Sequence, residues 1–208
     1  MSKPDKTPDV SLIGLVDAPN HLTAATGFVS GTVVDVSNVI RGVISLFHGF
    51  HEVGTNTGTQ KWIIRTSGSA SGNDTWVIFQ TVNITFSGLT KIEPVTTTEA
   101  AGVSSIAVAA TADYVGGDEI FIHDGNDATQ SEWGIVDNVV VNTSIELVDG
   151  LTTGKDDGDD CFDNPQINHI PIELEGVLRL QVLFSNRAVS GMDSSVKALL
   201  TTTDQYMS

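Results

Sequence analysis

The sequence predicts an all-β fold: a β-sandwich or jelly-roll-like core domain interrupted by a small inserted acidic β-barrel or meander module, with an extended N-terminal arm. Three observations predict it. Thr and Ser number 23 and 18 among 208 residues while Lys, Arg, Glu and Gln are sparse, a composition that favours strands and turns over helices. Short apolar runs recur between clusters of Gly, Ser, Asn and Asp. Charge changes abruptly inside this otherwise uniform pattern. Between Asp113 and Asp163 there are 14 acidic residues and one basic residue, Lys155, against 8 and 6 before the stretch and 4 and 3 after it. The expected division is an arm over 1–27, a discontinuous core domain over 28–95 and 164–208, and an inserted module over 96–163.

The elements follow in order. Residues 1–27 hold Pro4, Pro8 and Pro19 and one apolar patch formed by Leu12, Ile13, Leu15 and Val16 around Gly14. Such a segment reads either as a disordered tail or as an arm that orders on a neighbouring subunit, with those four apolar residues as its anchor. Residues 28–36 and 43–50, rich in Val, Ile and Phe, predict two strands joined by a polar turn. KWIIRT (61–66) and TWVIFQTV (75–82) predict a hairpin whose loop, SGSASGND, is longer than two residues. Trp62 and Trp76, near the strand starts, are expected in the core. Residues 94–101 read as a Thr-rich connector. Residues 105–109, 119–123, 131–141 and 145–148 predict four short strands, with a bend at Gly134, and 152–163 predicts a closing loop. Residues 170–174, 177–184 (VLRLQVLF) and 195–202 return to the earlier style and are expected to complete the first sheet system.

Charge and cysteine usage limit the function classes. A net charge of −16 repels nucleic acid, whose binding needs clustered Lys and Arg. It favours solubility, or attraction to cations or a basic partner. Cys161 is the only cysteine, which rules out an intramolecular disulfide and suits folding in a reducing cytoplasm. The N-terminus lacks the apolar stretch of a signal peptide, and no apolar run approaches a membrane-spanning length.

The candidate sites are few. Asp156, Asp157, Asp159 and Asp160 are calcium candidates on charge density alone. EF-hand spacing fails, because counting from Asp157 the fifth and sixth positions are Cys161 and Phe162. The 124–127 stretch, DGND, fails the same test at Ala128. His48 and His51, three apart, point to opposite faces of a strand and cannot share a metal there; His21, His123 and His169 are isolated. The sequence GSASG (68–72) has Ala70 where a nucleophile elbow needs serine. Carboxylates near Cys161 oppose thiolate formation. Glu132 beside Trp133 is the one hint of a sugar-cleaving carboxylate pair, and Trp133 reads more simply as core.

Two segments carry a resemblance. VISLFHGFHEVGTNTGTQKWIIRTSGSASGNDTWVIFQT (43–81) resembles small β-rich proteins of tailed bacteriophages. Residues 107–154 are similar to small β modules inserted in phage virion proteins, through Gly117-Asp118-Glu119-Ile120, Trp133-Gly134, Thr143-Ser144-Ile145-Glu146-Leu147 and Asp149-Gly150-Leu151. The resemblance implies a non-enzymatic virion component and no catalytic residues. A capsid decoration, or cement, protein is the leading expectation. It would be a homotrimer, made in the host cytoplasm and bound to the major capsid protein on the virion surface, with no cofactor unless calcium. The alternatives are a tail or head–tail junction component, a carbohydrate- or calcium-binding β module, and a hydrolase using paired carboxylates.

Overall fold

The computed structural model describes residues 10–14, 20–22, 29–50, 59–72, 75–84, 92–163, 165–187 and 194–205. Seven strands precede the acidic segment: β1 (Val10–Ile13), β2 (Asn20–Leu22), β3 (Val29–Ser30), β4 (Val34–Asp35), β5 (Val39–Phe50), β6 (Thr59–Ser67) and β7 (Val77–Ile84). Six lie in and beside it: β8 (Ile92–Pro94), β9 (Ser105–Ala107), β10 (Glu119–His123), β11 (Glu132–Val140), β12 (Ser144–Leu147) and β13 (Asp160–Asp163). β14 (Gln166–Glu173), β15 (Arg179–Arg187) and β16 (Ser194–Gln205) follow. Among the described residues the one helical element is a 3-10 turn, Ala128–Gln130. The fold is all-β and sandwich-like, as the composition predicts.

Strand alternation builds the sandwich. Sheet one runs β1-β16-β5-β14 with β2 also on β16, and sheet two runs β3-β15-β6-β7 with β4 also on β15. On sheet one, Ile44 and Leu46 of β5, Ile170 and Ile172 of β14 and Ala198 and Leu200 of β16 face inward. Trp62 and Ile64 of β6 and Leu180, Val182 and Phe184 of β15 meet them from sheet two. Each fully buried Val, Leu, Ile or Phe contributes about 1.5–3 kcal/mol. Trp62 packs edge-on against Phe184 with centroids 4.7 Å apart. His48 continues the inward row of β5, fully buried against Phe184 at 5.6 Å.

The third sheet runs β8-β13-β10-β11-β12-β9. It curls into a half-barrel whose edge strands meet at a single bridge between Val95 and Val108. It wraps its own core, built around Ile106, Ile120, Ile122, Val136 and Ile145. The two cores meet through β10, which departs from alternation: Ile120, Phe121 and Ile122 are all buried. Ile120 and Ile122 enter the half-barrel core, so Phe121 points the other way, onto β5. It fits there because residue 49 is glycine; a Cβ at Gly49 would overlap the Phe121 ring. Trp133 lies 5.0 Å from Phe121 and 5.5 Å from Phe47, so an aromatic layer joins the half-barrel to the outer face of sheet one.

Several expectations change. The arm's anchor is internal: Leu12 and Ile13 are buried in this chain's own core because β1 pairs with β16, while Leu15 and Val16 lie outside the described residues. The 28–36 run splits at Gly31, where the carbonyls of Leu12 and Val182 approach too closely for a side chain. The change of sheet falls at Ile92, earlier than expected, because β8 pairs with β13 and Val95 is fully buried in the half-barrel core. The closing loop ends in a central strand, since Cys161 and Phe162 bury opposite sides of β13 against Ile122 and Phe121 of β10. Trp76 is half-buried rather than core, for the reason given below.

Two predictions follow from this packing. Gly49→Val forces Phe121 off β5, with an expected loss of about 1–3 kcal/mol in urea unfolding and weakened near-ultraviolet aromatic dichroism. Burial pushes His48 down to about 3 from an ordinary 6.5. Above pH 6.5 the folded and unfolded chains both hold it neutral. As pH falls from 6.5 towards 3 the unfolded chain takes up a proton that the folded chain refuses. This group therefore lowers stability by up to about 1.4 kcal/mol per pH unit across that window. His48→Gln removes that part of the slope in unfolding titrations.

Candidate interaction surface

β7 forms the end of sheet two. It pairs with β6 on one side and, among the described residues, with no strand on the other. Val77, Ile78 and Phe79 are 65 %, 63 % and 45 % exposed. Alternation would bury every second residue, but the register shifts between Ile64 and Arg65: Gln80 pairs with Ile64 and Ile78 with Arg65, which makes Phe79 the extra residue of a bulge. The strand, VIFQTVNI, carries no charge. Free edges in lone proteins are usually blunted by charge, proline or a covering element. Here an edge with no partner strand among the described residues coincides with a contiguous exposed apolar run.

Beside this edge, two arginines clasp one tryptophan. Inward Trp62 and Ile64 on β6 put Arg65 on the outer face of sheet two, and Ser67 pairs with Arg179 on that same face. The guanidinium carbons lie 4.6 Å (Arg65) and 4.7 Å (Arg179) from the Trp76 ring centroid. Arg179 Nε donates to the Ser69 carbonyl at 2.6 Å, and its Nη2 donates to the Gly72 carbonyl at 2.9 Å and Thr75 Oγ1 at 3.0 Å. Arg65 Nε donates to Gln181 Oε1 at 2.9 Å. Every acceptor is neutral. Among the described residues neither arginine has a carboxylate partner, although the chain carries 26 acidic residues against 10 basic ones. The GSASG loop is thus the ordered rim of a dicationic, aromatic site. Sequence reasoning missed it because Arg65 and Arg179 sit on different strands far apart in the chain.

The half-barrel is the electrical opposite. Its one base, Lys155, is fully buried, with Nζ donating to Glu132 Oε1 at 2.6 Å, the Gln130 carbonyl at 3.0 Å and Thr153 Oγ1 at 2.5 Å. Burial would raise the Glu132 carboxyl, but hydrogen bonds from Lys155 and Thr152 outweigh it and hold the group below its usual range. The base therefore neutralises one internal carboxylate and leaves the remaining acids unbalanced.

Two of the aspartates proposed for calcium, Asp156 and Asp159, fasten two loops to each other. Asp159 Oδ1 accepts from the Gly125 amide at 2.9 Å and Oδ2 from the Asp156 amide at 2.8 Å. Asp124 Oδ1 accepts from the Asn126 and Asp127 amides at 3.0 and 2.7 Å. Asn126 Nδ2 donates to Asp156 Oδ2 at 3.2 Å. Asp157 is exposed, and Asp160 is half-buried, its carboxyl raised by burial and by Asp159. Among the described residues no three His, Cys, Asp or Glu side chains converge to hold a metal.

The remaining candidates are dispersed. His123 Nδ1 lies 3.1 Å from Ser131 Oγ and His169 Nδ1 2.9 Å from Ser45 Oγ. His51 and the His21 side chain lie outside the described residues. Burial, with Asp160 and Asp159 nearby, pushes the Cys161 thiol up to about 12, which keeps it protonated. Glu132 is committed to Lys155, and Trp133 to Phe47 and Phe121. At the joint, a cleft of about 330 Å³ is lined by Phe47, Trp133, Ile167 and His169, with Glu119 and Asp149 also on its wall.

No protein-family model and no curated protein matches the chain.

Removing the buried base tests the half-barrel. Lys155→Met leaves Glu132 without its cation, and the expected loss is about 3–5 kcal/mol in denaturant unfolding.

Proposed function

We propose that this chain is a non-enzymatic structural protein of a tailed-bacteriophage particle, of the capsid decoration type. One observation carries the reading: the bare β7 edge, with Val77, Ile78 and Phe79 exposed beside Arg65 and Arg179, is built to be covered by protein. An interface of that kind belongs to an assembling component more than to a free enzyme. The resemblance supports the particle context, since residues 43–81 supply the strand that carries the edge. The expected partners are the major capsid protein and further copies of the chain. Localisation on the capsid surface, after synthesis in the host cytoplasm, belongs to the same proposal, as does the homotrimer.

The cleft at the joint favours a second reading, a β module that binds a small ligand such as a carbohydrate. Its wall offers Phe47 and Trp133 as stacking surfaces and Glu119 and Asp149 as acceptors.

Purified protein mixed with expanded capsids separates the readings. Decoration predicts a bound copy number comparable with that of the major capsid protein, measured by quantitative mass spectrometry of isolated particles. A few copies per particle would favour the tail or head–tail junction. No loading, together with binding on a glycan array, would replace the structural reading by the second.

A further inference from the structure

We propose that the β7 edge of one copy docks into the joint cleft of a second copy, so that identical chains bind head to tail. The inference rests on reading the β7 face as a protein-binding surface, and it names the partner.

The two surfaces match in charge, and each offers apolar side chains. The edge is an apolar strand, Val77 to Phe79, with Arg65 and Arg179 at its rim. The cleft is a hollow of mixed character, in which Phe47, Trp133, Ile135 and Ile167 stand among the acids Glu119, Glu132 and Asp149. Of those acids Glu119 and Asp149 are exposed, whereas Glu132 is occupied by Lys155. The apolar character continues past the mouth. Ile135 and Val148 are 48 % and 57 % exposed, the Val148 amide donates to the Ile135 carbonyl at 2.9 Å, and Glu119 lies across from Ile135. Apolar side chains beside charges of opposite sign on the two faces suit a specific protein interface.

A single chain cannot make this contact with itself. The cleft opens against the outer face of sheet one, β7 lies at the end of sheet two, and the sandwich core stands between them. The net charge of −16 repels copies that approach in other orientations, so the two guanidiniums select the one in which they face carboxylates. Because the two patches differ, the contact is heterologous: it closes into a ring, such as a trimer, or extends as a filament.

Sedimentation velocity on the full chain over a concentration series reads the association. Ile78→Asp spoils the edge and leaves the cleft, while Glu119→Lys combined with Asp149→Lys spoils the cleft and leaves the edge. These positions are exposed, and circular dichroism and Tm check that each variant folds. Phe79→Lys supplies an independent edge variant. The wild type is expected to grow beyond 22.0 kDa with concentration, and each variant to remain at 22.0 kDa. Mixing an edge variant with the cleft variant is expected to restore a species of twice the chain mass, because one intact edge then meets one intact cleft. A cleft variant that associates like the wild type, or a mixture that stays monomeric, overturns the proposal. Wild-type protein that loads onto capsids yet stays monomeric at every concentration overturns the docking and leaves the structural reading standing. Self-association without loading onto capsids does the reverse.

Discussion

Phe121 rests on the backbone of β5 because residue 49 has no side chain, and that contact decides how two hydrophobic cores share one molecule. β10 has to be apolar on both faces to serve the half-barrel and the sandwich at once. Trp133 and Phe162 then gather round the ring, and Phe47 packs on Trp133. Lys197 lies 5.1 Å from the Phe47 ring and 5.5 Å from that of Trp133, so a cation on sheet one faces the same aromatic layer. Features that look separate in the chain, a glycine in a strand and an unbroken EIFIH run, are two halves of this one fit. The cleft exists because the layer fills only part of the space between half-barrel and sheet.

The parts of the fold legible in the sequence are those whose physics is local. EIFIH marks β10 to the residue, and KWIIRT with TWVIFQTV marks the β6–β7 hairpin, because apolar patterning and turn chemistry agree there. Where composition and tertiary pairing conflict, pairing wins. Residues 152–163 read as a closing loop, yet Asp160 begins a strand because Cys161 and Phe162 find β10 beside them. β1 is invisible for a related reason: its apolar residues are too few to form an element until β16 is present to pair with. Trp76 looked like core because tryptophan usually is; two long-range arginines make it a half-buried platform instead. Neither the edge site nor the cleft could be read from spacing, since each is assembled from segments widely separated in the chain.

The acidic stretch changes meaning once its hydrogen bonds are known. Asp124 and Asp159 act as backbone caps, spending their oxygens on amides of two facing loops. Lys155 is withdrawn into the interior as the counter-ion of Glu132. What remains outside is an excess of negative charge on one side of the sandwich, with two guanidiniums on the other that form no ion pair among the described residues. The molecule is therefore an electric dipole as well as a two-part fold.

The first and last strands of the half-barrel lie side by side. β8 pairs antiparallel with β13, so that Ile92 faces Phe162. The chain leaves the sandwich and returns to it through neighbouring doorways, which makes the half-barrel an exchangeable cassette. A lineage could trade it for another small domain, or for a short turn, without rethreading either sheet of the host. The outer face of sheet one would register the exchange, Phe47, Gly49 and Lys197 among its residues, as a bare patch where Phe121 and Trp133 had been.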